Sequence, residues 1–249
     1  MILIRGLHKR FGSNQVLRGL DLEVPTGETI AIVGPSGTGK SVLLKIIAGF
    51  LQADKGEVVV DGRDIAKIRT SSERQEILKR MGVLFQNAAL FDSLNLYENV
   101  AFPLRYHTKY GEREISQRVL AHLESVGLLG HELALPGEVS IGMRKRVGIA
   151  RALSMQPDIL LFDEPNTGLD PETGQGIYDL IKETQKRNRF TGIVISHEIP
   201  EVFQVCSRVA MMYGGVISDK GSVEEFLSSA NPVTMQFRAG EVNGPISIS

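Results

Sequence analysis

The rhythm of apolar side chains changes several times along the chain. Over Ile2–Ile4 and again over Val16–Val24, apolar and polar residues mix in short runs. Gly12-Ser13-Asn14 lies between them, which predicts two strands and a turn. Thr29–Val33 is apolar apart from its threonine, as in a strand buried on both faces. It runs into a glycine-rich turn and a helix expected over 40–50. Val58–Val60 and Gly82–Phe85 predict two further strands. From 88 to 156 a helical period takes over, clearest over 112–126 and 141–155. Strands return at Ile159–Phe162 and Gly192–Ile195, alternating with helices expected over 171–189 and 200–206. Such alternation implies a largely parallel sheet with crossover helices. After Ser229, Asn231-Pro232, Gly240 and Gly244-Pro245 punctuate the chain, which reads as an extended tail lying on a partner's surface.

Composition narrows the class. A chain of 249 residues, 42% hydrophobic and 23% charged, can bury a core without disulfides or structural metal. With 28 basic and 29 acidic residues it lacks the basic excess that nucleic-acid binding usually leaves. The single cysteine, Cys206, allows no intramolecular disulfide and fits a reducing compartment. The N-terminus lacks the order of a signal peptide, and runs such as Ile159–Phe162 fall far short of the ~20 apolar residues that cross a bilayer. A soluble protein is expected, with any membrane role peripheral.

Two stretches carry strong chemical signals. Gly34-Pro35-Ser36-Gly37-Thr38-Gly39-Lys40-Ser41 fits G-x-x-x-x-G-K-[ST] and stands between a predicted strand and helix. There glycines let backbone N–H groups wrap a polyphosphate at a helix N-terminus. Lys40 would reach the β- and γ-phosphates and Ser41 would ligate Mg²⁺, with Val42 following in the helix. A P-loop alone indicates only nucleoside triphosphate binding. Ile159-Leu160-Leu161-Phe162 then ends in Asp163-Glu164. Adjacent carboxylates closing a buried strand are costly unless they have work to do. Beside a P-loop, Asp163 would orient the Mg²⁺ shell and Glu164 would polarise the attacking water as general base; capping the next helix is the plainer alternative.

Together with these motifs, the chain resembles the ABC ATPase family over nearly its whole length. Gln86 follows its strand as the family's Q-loop glutamine does. Ser140-Ile141-Gly142-Met143 and the following Arg144–Leu153 are similar to the family's signature and its helix. Gly168-Leu169-Asp170 matches the D-loop, Ser196-His197 the switch histidine, and Phe11 takes the place of the aromatic that stacks on adenine. Taken singly, His197 reads as a strand-end histidine, Gln86 as a solvated side chain and Phe11 as core. Their order around the two strong motifs reverses those readings. The resemblance implies an α/β fold: a RecA-like P-loop NTPase core with a mainly parallel sheet, an N-terminal antiparallel β sub-domain and an inserted helical sub-domain. The core would span 1–87 and 157–229, the helical sub-domain 88–156, and the tail 230–249. It implies ATP and Mg²⁺ as cofactors, with Gln86 joining Ser41 and Asp163 at the metal. It also implies a head-to-tail dimer in which Ser140 and Gly142 of one copy, helped by Asp170, meet the nucleotide of the other. Two departures stand out. Ile141 replaces a glycine of the signature, strained if that position needs positive φ, and Asn166 replaces the usual serine or threonine after Glu-Pro.

Phe91–Arg105, the run Gly142–Val147 and the tail are similar to Mla-type ATPases, which drive phospholipid traffic between bacterial membranes. That likeness implies permease subunits, MCE-domain and STAS-domain partners, and a place on the cytoplasmic face of the inner membrane. A small-solute ABC importer shares every ATPase motif. A DNA-repair ABC ATPase would need a long coiled coil between its motifs, and a translation type two cassettes. A P-loop kinase would lack the signature helix and His197. The apolar Ala88–Phe91 and Leu94, just after Gln86, form the expected docking patch for a membrane partner, with packing of Leu90 and Phe91 inside the helical insertion as the plainer alternative.

Overall fold

A computed structural model describes residues 1–247 apart from Ala66 and Arg69. It divides into two compact units, one formed by residues 1–74 and 191–249, the other by 75–190.

In the first unit, β1 (Ile2–Phe11) and β2 (Asn14–Val24) form an antiparallel hairpin across the Gly12-Ser13 turn. β4 (Lys55–Val60) pairs antiparallel with the other edge of β1, and the short β5 (Arg63–Asp64) follows it. Ile2, Ile4 and Leu7 of β1 are buried with Leu20, Leu22 and Val24 of β2 and Val58 and Val60 of β4, a one-sided apolar face. The second sheet of this unit is different. β3 (Thr29–Val33) lies between β8 (Thr191–Ser196) and β9 (Arg208–Tyr213), parallel to both, and β10 (Val216–Ser222) turns back along β9. Every residue of β3 and β8 is buried, which is why both strands read as unbroken apolar runs.

The helix after β3, α1 (Lys40–Ile47), stops three residues before the expected end, since Gly49 at φ 72° follows its cap. The helix expected over 200–206 is a single 3-10 turn, Glu201–Val205. The expected extended tail is corrected more substantially. After α7 (Val223–Ser228), residues Pro232–Ala239 form a helix, α8. Thr234 and Gln236 are buried, Thr234 Oγ1 donates to Asp219 at 2.7 Å, and Asn231 Nδ2 donates to the Ser218 carbonyl at 2.9 Å. Gln236 then holds residues 241–246 by donating to the Ile246 carbonyl at 3.1 Å and accepting from the Ile246 N–H at 2.6 Å.

In the second unit, β6 (Met81–Leu84) and β7 (Ile159–Asp163) pair in parallel. Around them are α3 (Leu96–His107), α4 (Glu112–Ser125), α5 (Ile141–Leu153) and α6 (Pro171–Asn188). The helix α5 is the hub, packing on α3, α4, α6 and β6. Gly148 makes one of these approaches possible: a Cβ there would stand 2.6 Å from Leu84 Cδ1 and 3.2 Å from Ala88 Cβ. One further helix, α2 (Ser71–Leu78), precedes β6.

Candidate functional site

The phosphate-binding loop of the first unit leaves the C-terminal end of β3, where Val33 pairs with Ser196 of β8. The P-loop and His197 therefore depart from the same end of the same strand pair, where open parallel sheets place their ligands. Gly34 (φ 151°) and Gly39 (φ 102°) are obligatory. A Cβ at Gly34 would lie 2.3 Å from the Met212 carbonyl oxygen, and one at Gly39 2.6 Å from Val16 Cγ1. Lys40, 4% exposed, donates to the carbonyls of Gly34 and Pro35 at 2.7 and 2.8 Å. Its ammonium thus tethers the loop from within, while Thr38 Oγ1 donates to the Pro35 carbonyl at 2.9 Å. Ser36 and Gly37 are exposed, and Ser41 and Val42 are partly covered in the first turn of α1. Phe11 ends β1, exposed, with Lys9 Nζ 5.4 Å above its ring. His197 is exposed as well, its Nε2 lying 3.9 Å from Glu198 Oε1.

The second unit carries the adjacent carboxylates. Asp163 is buried at the end of β7, and Glu164 follows at φ 49°, a left-handed conformation rare for a non-glycine residue. Glu164 Oε2 accepts from Gln86 Nε2 at 2.9 Å and from Thr167 Oγ1 at 3.1 Å. The structure so brings Gln86 and Glu164 together at the ends of the parallel pair β6 and β7. Thr167 was not among the residues expected at the site. Nor was Lys145, whose buried ammonium donates to the Glu164 carbonyl at 3.1 Å. Asn166 does structural work: it is buried, and its Oδ1 accepts from the Tyr178 hydroxyl of α6 at 3.0 Å.

Ser140 is the N-cap of α5, its Oγ accepting from the Met143 N–H at 3.2 Å. Ile141 is the first helical residue, exposed and absent from the described non-glycine residues with positive φ, so the strain it threatened does not arise. Gly142 is buried because α6 is close: a Cβ would meet Thr173 Cγ2 at 2.6 Å. Asp170 caps α6, accepting from the Thr173 N–H at 3.0 Å. That backbone bond, with the Thr173 side chain second, lowers its carboxyl below the usual aspartate range.

The loop after Gln86 is organised by a half-buried arginine and a buried asparagine, neither of them among the expected site residues. Ala88 (φ 58°) and Ala89 (φ 47°) are both left-handed, and Arg151 of α5 donates to their carbonyls at 2.7 and 2.8 Å. Asn99, fully buried, donates to the carbonyls of Phe91, Leu94 and Asn95 and accepts from the Phe91 N–H at 2.8 Å. Within the expected apolar patch, Ala88 is buried and Leu90 and Leu94 partly so. Phe91 is 43% exposed, its ring 4.7 Å from that of Phe102, which lies 4.5 Å from Tyr106.

Each unit carries groups that suit this chemistry. In the first, the loop offers a backbone cradle, an ammonium and the Ser41 hydroxyl; in the second, Asp163 and Gln86 carry the carboxylate and amide oxygens that hard cations take. Among the described residues no helix is long and apolar enough to cross a membrane.

Comparison with known proteins agrees with this chemistry. A family profile described as ABC transporter matches residues 17–167. The chain is 43% identical to a probable ribonucleotide transport ATP-binding protein, mkl, of Mycobacterium leprae, over 100% of this chain and 71% of the relative. It is 40% identical to the intermembrane phospholipid transport system ATP-binding protein MlaF of Haemophilus influenzae, over 99% of this chain and 93% of the relative. Among solved structures it is similar to the dimeric ATP-binding cassette MJ0796 in a post-hydrolysis state bound to ADP and Pi. That similarity has a TM-score of 0.82 at 29% identity, covering 90% of this chain and 99% of the other.

Proposed function

Because the chain belongs to the ABC transporter family of ATP-binding cassettes, we propose that it hydrolyses ATP to drive phospholipid transport between two membranes. The observation carrying the catalytic part is the Glu164 carboxylate, held by Gln86 and Thr167 at the end of a buried strand. Near-full-length similarity to a phospholipid transport ATP-binding protein supports the cargo.

In this reading the P-loop amides and Lys40 bind the β- and γ-phosphates, and Phe11 stacks on adenine. Bound Mg²⁺ would neutralise charge on the phosphates, held by Ser41, Asp163 and Gln86. Glu164 takes a proton from the attacking water, and His197 contacts the γ-phosphate or that water. Ser140 and Gly142, at the N-terminus of α5, with Asp170, meet the nucleotide of a second copy. The helical stretch 88–156 forms the sub-domain that meets the permease, on the cytoplasmic face of the membrane, with MCE-domain and STAS-domain subunits completing the complex. Phe91, half exposed beside Phe102 and Tyr106, is the contact we assign to the permease. Phe91→Asp should keep ATP binding in the isolated subunit and lose the membrane subunit in a pull-down.

The cargo is open to a direct test, since the mycobacterial relative bears a ribonucleotide transport name. Purification of the native complex followed by lipid and nucleotide analysis should recover bound phospholipid. A complex that binds ribonucleotide on its transport side and no lipid contradicts the reading.

A further inference from the structure

Lys145 lies on the buried face of α5, 1% exposed, and its Nζ donates to the backbone carbonyl of Glu164 at 3.1 Å. Burying an ammonium is costly, and an apolar side chain of the same volume would fill the space without that cost. The acceptor it meets is notable for its conformation: Glu164 stands at φ 49°, where a non-glycine backbone persists only if its surroundings over-determine it. The same carbonyl accepts the Thr167 N–H at 3.3 Å. Two donors from different parts of the chain thus fix the peptide that follows Glu164, while Gln86 and Thr167 fix its carboxylate. A turn of that peptide toward ordinary φ would carry the carboxylate away from both.

We propose that Lys145 is a positioning residue for Glu164: its ammonium holds the glutamate in the strained conformation that aims the carboxylate for proton abstraction. The signature helix thereby reaches the base of its own chain directly, one turn beyond the Ser140 cap. This proposal rests on Glu164 being the general base, and it adds a residue outside the motifs that name the family's nucleotide contacts.

The test compares full-length Lys145→Met, which keeps the length and removes the donor, with Lys145→Gln, which restores an uncharged donor. Readouts are kcat and KM for ATP, affinity for a fluorescent ATP analogue, thermal melting, and amide hydrogen exchange of nucleotide-free protein. Lys145→Met should lower kcat about 10- to 100-fold, the worth of one hydrogen bond from a charged donor. KM and analogue affinity should stay within about twofold, because the P-loop is untouched. Exchange should quicken over residues 163–168 and not across α4 and α6, and Lys145→Gln should recover most of the lost turnover. Wild-type turnover in Lys145→Met overturns the proposal. So does equal loss in both variants, or lowered melting with faster exchange throughout, which marks a packing role alone. Glu164→Gln run alongside separates the two ideas: if it turns over normally the base assignment fails. If it is inactive while Lys145→Met is normal, only the positioning role fails.

Discussion

Lys40 commits its ammonium to the loop it belongs to. The carbonyls of Gly34 and Pro35, at 2.7 and 2.8 Å, hold the charge in a loop where Gly34 and Gly39 leave no room for a side chain. Lys40→Ala should leave a folded protein whose ATP affinity is at least about tenfold weaker, the worth of one charge-assisted hydrogen bond. Titration with a fluorescent nucleotide measures it, and unchanged affinity in a folded variant rules the role out. The places of Lys40, Asp163 and Glu164 in the fold were legible in the sequence because their motifs are local: a glycine-rich turn before a helix, or an acid pair closing an apolar strand. Those of Lys145, Arg151 and Asn99 were not. Arg151 meets carbonyls 62 and 63 positions away, and nothing local tells an arginine that holds a distant loop from a solvated one. In the sequence Asn166 reads only as a departure from the usual serine or threonine, whereas its partner Tyr178 gives it a packing reason that only the fold reveals.

Among the helices, α5 concentrates the most constraint. Its Arg146 donates to the Val126 carbonyl at 3.1 Å, Lys145 to Glu164 and Arg151 to the loop after Gln86. Gly148 allows the close approach to Leu84 and Ala88 that aligns all three. Gly148→Val should cost about 1–3 kcal/mol by overpacking, read as a lower melting temperature; a variant as stable as wild type contradicts the tight contact. The tail makes the opposite lesson. Its prolines and glycines read as breakers, yet Asn231 is an N-cap accepting from Val233 and Thr234 N–H groups. Pro232 opens α8 and Gly240 closes it at φ 65°. The same residues that punctuate a loop also start and stop a helix, and only buried Thr234 and Gln236 distinguish the cases. Truncation after Ser229 removes those bonds, so melting should fall by roughly 4–8 °C, equivalent to about 2 kcal/mol in a chain of this size. Unchanged melting would restore the reading of a tail that needs a partner.

For the molecule as a whole, the mainly parallel sheet, the antiparallel N-terminal hairpin and the helical middle stretch were all readable from apolar periodicity. The hairpin of β9 and β10 and the helices α2, α7 and α8 were not assigned, since short elements of mixed polarity carry little periodic signal. The solved cassette that the chain resembles is dimeric, and in the function proposed above Ser140, the exposed cap of α5, meets the nucleotide of a second copy. Glu164→Gln keeps the shape of the base but cannot accept a proton. It should therefore bind ATP, stall before hydrolysis and hold two copies together. The decisive measurement is the mass in solution of this variant with and without ATP and Mg²⁺. On adding ATP the 27.3 kDa monomer should shift to a dimer of about twice that mass. A variant that binds ATP yet stays monomeric, or that hydrolyses it at the wild-type rate, contradicts the proposed function.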